Sequence, residues 1–128
     1  MLGELIGEFT GKNTGTRVLP DGKMETSGEG AGKILGIDAM IMFTNIVTMT
    51  GGIFMGETNA VIMTATGDVI KMKSIDIAYH SGNGGSSRAG SIQMTDSPKF
   101  ARLNKVIGLH EYETDMNNNF VGKIWEWK

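Results

Sequence analysis

Val69-Ile-Lys-Met-Lys-Ser-Ile-Asp-Ile-Ala-Tyr79 alternates. Ile70, Met72 and Ser74 fall on one side, and Lys71, Lys73, Ile75 and Ile77 on the other. A period of two is the signature of a β-strand, whose successive side chains leave opposite faces. Upstream, Gly67-Asp68 has glycine first, the preference of a two-residue type II′ hairpin loop, so 53–66 is read as the preceding strand. Gly51-Gly52 ends the run before it, Ala39-Met-Ile-Met-Phe-Thr-Asn-Ile-Val-Thr-Met-Thr50, the most apolar of the chain. Its β-branched content argues for strand over helix, and its length predicts burial on both faces over part of it.

Further out, Thr26 to Gly36 carries glycine at 28, 30, 32 and 36. The first three share one strand face, and a bare face admits another backbone or a sharp bend. Pro20-Asp21-Gly22 is a hairpin turn between strands 15–19 and 23–27. Proline presets φ, aspartate bonds its own backbone and glycine supplies φ > 0. Residues 3–11 make a separate first strand.

Downstream, the Gly/Ser-rich stretch 81–90 reads as one long flexible loop, followed by a strand at 90–95. Ser97-Pro-Lys-Phe-Ala-Arg-Leu-Asn104 is the one convincing helix, with Ser97 as N-cap, Pro98 at its first position and Asn104 ending it. The chain finishes in a hairpin, 105–114 and 120–127, around Asp115-Met-Asn-Asn-Asn119. If 114 pairs with 120, His110 lies opposite Ile124, and Leu109 opposite Trp125. The face holding Leu109, Ile107, Trp125 and Trp127 is the more apolar and is expected to be buried.

This makes about eight strands in a single domain, 1–128, of the all-β class. An antiparallel sheet of that size tends to close, which removes its edges. The expectation is a closed barrel of about eight strands with one short helix; a two-sheet sandwich is the other arrangement open. Nineteen glycines against two prolines suit a strongly curved sheet.

Composition excludes several functions. There is no cysteine, hence no disulfide, thiolate metal site or cysteine nucleophile. Net charge is −2 with the signs interspersed, whereas nucleic-acid binding needs a concentrated basic face. No run approaches the roughly 18 apolar residues of a membrane helix, and Met1-Leu-Gly-Glu4 does not read as a signal peptide. The expectation is a cytoplasmic protein with neither nucleic acid nor membrane as partner.

Arg88-Ala-Gly-Ser-Ile-Gln-Met-Thr-Asp-Ser-Pro-Lys-Phe-Ala-Arg-Leu-Asn-Lys-Val-Ile-Gly-Leu-His-Glu-Tyr-Glu-Thr-Asp115, with Gly122-Lys-Ile-Trp-Glu-Trp-Lys128 and Gly15-Thr-Arg-Val-Leu-Pro-Asp-Gly-Lys23, resembles a small uncharacterised prokaryotic family. Its members are similar in fold to the allene oxide cyclase barrel. The resemblance implies an antiparallel barrel and a homo-oligomer. It implies no activity, and no catalytic residue of the plant cyclases matches a position here.

Candidate chemistry is sparse. Gly28-Glu-Gly-Ala-Gly-Lys33 mimics a phosphate loop but has Ser27 where the first glycine belongs and Ile34 where Ser or Thr should follow the lysine. Asp115 to Glu126 mimics calcium-loop spacing, but Phe120 takes the position that needs glycine. An Asn-rich turn explains that segment better. The two histidines, His80 and His110, have no histidine at metal-ligand spacing, so no metal and no cofactor is expected. His110, Tyr112 and Glu126 share a face of the last hairpin. A carboxylate beside an imidazole raises its pKa, which is acid–base equipment.

Three functions follow. In the leading one, a lumen lined by residues such as Met42, Phe43, Met63 and Met72 binds a small apolar or amphipathic ligand in the manner of a lipocalin, with 81–90 as a mobile rim. In the second, His110, Tyr112 and Glu126 make the barrel an isomerase or cyclase. In the third, the barrel is filled solid and serves as an oligomeric interaction protein. A void of about 300 Å³ with convergent polar groups would separate the first two from the third.

Overall fold

A strand with one apolar side buries that side best in a sheet curved round onto itself. The computed structural model, which describes residues 1–128, shows that solution. Eight strands follow in order: β1 (Leu2–Val18), β2 (Met24–Ile34), β3 (Ile37–Thr50), β4 (Ile53–Thr64), β5 (Val69–Ser81), β6 (Gly84–Met94), β7 (Ile107–Thr114) and β8 (Asn119–Trp127). Each pairs antiparallel with the next, and β1 pairs with β8 from Leu2↔Trp127 to Lys12↔Asn119, so the barrel is closed. A short 3-10 helix, Pro98–Lys105, lies between β6 and β7. No helix is long and apolar enough to cross a membrane.

The interior has two halves. At one end, Ile34, Ile62 and Ile70 are fully enclosed, and Phe100 and Leu103 of the helix plug the opening with no exposed surface. The helix is tied down by polar contacts. Asn104 accepts from the Thr95 amide at 2.8 Å and donates to the Thr95 carbonyl at 3.0 Å. Contrary to the sequence expectation, the Ser97 side chain does not cap it. Its hydroxyl instead donates to Asp68 Oδ1 at 2.5 Å, because the β4–β5 turn brings a carboxylate within reach.

The glycine stripe of β2 faces inward. A Cβ at Gly30 would come 2.5 Å from the Thr10 carbonyl oxygen. One at Gly28 would run into the ring of Phe43, and one at Gly32 into the carbonyl of Glu8. The bare face thus lets β1 and two aromatic rings close on β2.

Several sequence expectations are corrected. Residues 3–11 and 15–18 form one strand, with an irregularity between Asn13 and Gly15 where the register to β2 shifts. The stretch 81–90 is no long loop: Ser81 pairs with Gly84 and Tyr79 with Ser86, leaving only Gly82 and Asn83 in the turn. Gly84 allows close backbone approach, lying against the Thr114 carbonyl, Gly82 takes the turn at φ +59°, and the Ser86 hydroxyl donates to the Glu113 carboxylate. The β4–β5 turn spans 65–68 rather than two residues, with Gly67 at φ +82° and its amide donating to the Thr64 carbonyl at 3.0 Å. β3 is buried on one face, not two: Ala39 and Ile41 point in, while Met40 and Met42 are exposed. The outer side of a closed barrel meets solvent, so only the lumen-facing parity of the strand is enclosed. The Pro20-Asp21-Gly22 turn forms as expected, with Gly22 at φ +87° and Asp21 accepting from the Lys23 amide.

The last hairpin has the expected register, His110↔Ile124 and Leu109↔Trp125, but the opposite face is buried. Phe120 and Ile124 are enclosed, whereas Trp127 is 57% and Ile107 41% exposed. The interior has no room for two indoles. Already at Gly108 a Cβ would come 2.5 Å from Ser91 Oγ and 3.1 Å from Ile124 Cγ2.

Candidate functional site

Above the packed half, the lumen is not filled. A cavity of about 220 Å³ remains, lined by 24 residues. That is smaller than the void expected of a ligand barrel and below the ~300–1,000 Å³ of drug-sized sites.

One wall is aromatic. Tyr112 and Phe120 stack with centroids 4.9 Å apart, and Phe43 meets each edge-on, at 6.3 and 5.6 Å. Phe43 can lie there because Gly28 is beneath it. The Tyr112 hydroxyl reaches Asn13 Oδ1 at 3.4 Å. Burial, and secondarily the charge of Asp76, push its pKa up.

A second part of the lining is polar and centres on Asp76 of β5. Its Oδ2 accepts from Asn45 Nδ2 at 2.9 Å, with Thr58 Oγ1 at 3.5 Å, and Asn45 Nδ2 also donates to Thr58 Oγ1 at 2.7 Å. Burial raises the pKa of Asp76; the bonds from Asn45, Thr58 and the Gly56 backbone oppose that shift. Asn45 Oδ1 is enclosed and has no hydrogen-bond partner. A buried acceptor left unpaired costs roughly 1–3 kcal/mol. Asp76 Oδ1 and Asn45 Oδ1 crowd the same spot above Gly56, where the absent side chain leaves space.

Below this, His110 Nε2 lies 2.7 Å from Ser91 Oγ, which also accepts from Gln93 Nε2 at 2.5 Å. Burial lowers the His110 pKa to about 4, so the ring is neutral at pH 7. This reverses the rise expected from a neighbouring carboxylate. Glu126 is on the same face, but it sits at the helix end and accepts from Arg102 at 3.2 Å. Arg102 also binds Glu4 at 2.9 Å.

Of the residues singled out from sequence, Phe43, Met72, His110 and Tyr112 line the cavity. Met42 and Met63 do not: they stand on the outer surface, 47% and 39% exposed, because their strands offer the other parity to the lumen. The structure does not gather His110, Tyr112 and Glu126 about one point. Sequence reasoning missed Asp76, Asn45 and Thr58. For Asp76 a signal existed, since it continues the Ile70, Met72, Ser74 side of β5 as a carboxylate on the buried face. No three His, Asp or Glu side chains come together as a metal would require.

Fold and site together define a closed eight-stranded antiparallel barrel, stoppered at one end and hollow toward the other. No known protein family matches the chain, and no curated protein does. Solved structures match closely in shape. They include a conserved protein of unknown function from Rhodopseudomonas palustris, TM-score 0.79, 10% identical, covering 99% of both chains. A protein with unknown function from Clostridium acetobutylicum has TM-score 0.81, 13% identity and 98% of both chains covered. A beta-barrel like protein from Acinetobacter baumannii has TM-score 0.80 and 13% identity, covering 100% of this chain and 96% of its own. At such identities the likeness concerns the fold alone.

Proposed function

We propose that the protein binds a small amphipathic molecule in the open half of its lumen. The supporting observation is the contrast between the two halves. One end is closed by the fully enclosed side chains of Ile34, Ile62, Ile70, Phe100 and Leu103. The other keeps a cavity lined by aromatic rings and by a polar cluster. A barrel selected only for stability gains from filling such space, since voids forfeit dispersion contacts. Its size limits the ligand to something smaller than a drug-like molecule. The isomerase or cyclase alternative is weaker, because Glu126 is held by Arg102 and not by His110.

Native mass spectrometry of protein purified from its own host tests the reading. We expect an added mass that is lost in Ala78→Phe, which fills the cavity. Apo protein, together with no shift of cavity resonances in a screen of small amphipathic fragments, would overturn it.

A further inference from the structure

The walls of the cavity say something about the charge of what enters. Among the lining residues, Asp76 is the one carboxylate, and there is no Lys or Arg. His110 is neutral at pH 7 and brings no positive charge. An anionic ligand would therefore meet no counter-charge. The opposite holds for a cation. Asp76 is desolvated and held by neutral donors only, from Asn45, Thr58 and the Gly56 backbone. A buried carboxylate without a cationic partner is costly, and pairing it with one recovers that cost. Beside it, Asn45 Oδ1 is an acceptor without a donor. The rings of Phe43, Tyr112 and Phe120 line the same cavity, and cations are attracted to the faces of such rings.

From these features we infer that the ligand is a small organic cation: an ammonium group that donates to Asp76, carried on a short apolar body that packs against the aromatic wall. The inference rests on the binding reading above and adds the charge. The ammonium supplies the counter-charge that Asp76 lacks, and the body fills space beside the rings of Phe43 and Phe120. Specificity follows from the same groups. A neutral alcohol of equal shape leaves the carboxylate without its counter-charge, and a carboxylate ligand adds repulsion.

The test is a titration of the whole protein at pH 7 with three compounds of similar shape: benzylammonium, benzyl alcohol and benzoate. Binding is followed by calorimetry and by the side-chain amide resonances of Asn45. We expect benzylammonium to bind about thirtyfold or more tighter than benzyl alcohol, the scale of losing one partner of a buried charge pair, to shift Asn45, and benzoate not to bind. In Asp76→Asn, the cation should lose that advantage while benzyl alcohol is held within about threefold. Benzyl alcohol binding as well as the cation, or an unchanged preference in Asp76→Asn, overturns the charge assignment and leaves the binding reading standing. Failure of all three to shift Asn45 overturns both. Should Asp76→Asn fail to fold, the ranking of the three compounds on the native protein decides alone.

Discussion

Gly28 and Phe43 are partners across β2 and β3, and the phenyl ring occupies the place of the side chain that Gly28 lacks. The nearest ring carbons would all come within 3.0 Å of a Cβ there. The collision differs from that at Gly32, where the obstacle is the backbone of Glu8 and Phe9. A ring beside a cavity can yield; a paired strand cannot. Gly28→Ala should therefore cost about 1–3 kcal/mol as Phe43 leaves its place against Phe120, and Gly32→Ala should cost more. Urea unfolding of the two variants checks the order.

The buried face of the last hairpin gives a second expectation. Ile124 is 4% exposed and touches the core, while Trp127 is 57% exposed. Ile124→Ala should cost about 2–5 kcal/mol. Trp127→Ala, despite removing a far larger side chain, should stay within about 1 kcal/mol, near the range of surface changes. Equal losses in thermal unfolding would mean that the indole is covered in solution, as in an oligomer.

His110 predicts a pH dependence. Its folded pKa lies at about 4, lowered by burial from 6.5. Between these values the unfolded chain binds the proton and the folded one does not, so stability rises with pH across this window. The contribution is fully present above pH 6.5 and is lost as pH falls toward 4. It should amount to roughly 3–4 kcal/mol, because each tenfold difference in proton affinity between the two states is worth about 1.4 kcal/mol. In His110→Asn the slope between pH 6.5 and 4 should flatten relative to the native protein, measured by denaturant midpoints.

Asp68 predicts an effect at more acid pH. Hydrogen bonds from Ser97, Thr66 and Thr64 hold its pKa down to about 2. The contact is present above the ordinary carboxylate range and is lost as pH falls through about 2. Asp68→Ala should loosen the helix from the β4–β5 turn, so that hydrogen exchange at 98–105 accelerates while β2 and β3 are unchanged. Uniform acceleration would show that the contact does not act locally.

Most strands were legible because the barrel leaves their alternation intact; β1, irregular between Asn13 and Gly15, was read as two. The alternation of 69–79 and the turn at 20–22 carry their structural reason within a few residues. The register of the last hairpin was legible as well, from the length of the turn at 115–118, where Asn118 takes φ +64°. Which face turned inward was not, since apolar content favoured the tryptophans. The deciding signal was space: Gly108 and Gly122 share the His110 and Tyr112 side, and each abuts a neighbour within 3.1 Å of a would-be Cβ. Glycine likewise misled at 81–90, where the residues that permit a loop also permit close strand packing. The polar cluster stayed hidden because Asn45, Thr58 and Asp76 lie on three strands and meet only once β3, β4 and β5 pair.

The seam between β1 and β8 governs when the molecule can be completed. Its partners, Leu2 with Trp127 and Lys12 with Asn119, are among the residues farthest apart in the chain. During synthesis the ribosome delivers β1 first and β8 only after every other strand has left the exit tunnel. Neighbouring hairpins can assemble as they emerge, but the ring waits for its last member. Contacts of such sequence separation slow folding. A nascent chain stalled before β8 carries two open backbone rims and a cavity without its Phe120 wall, and is the form most in need of a chaperone.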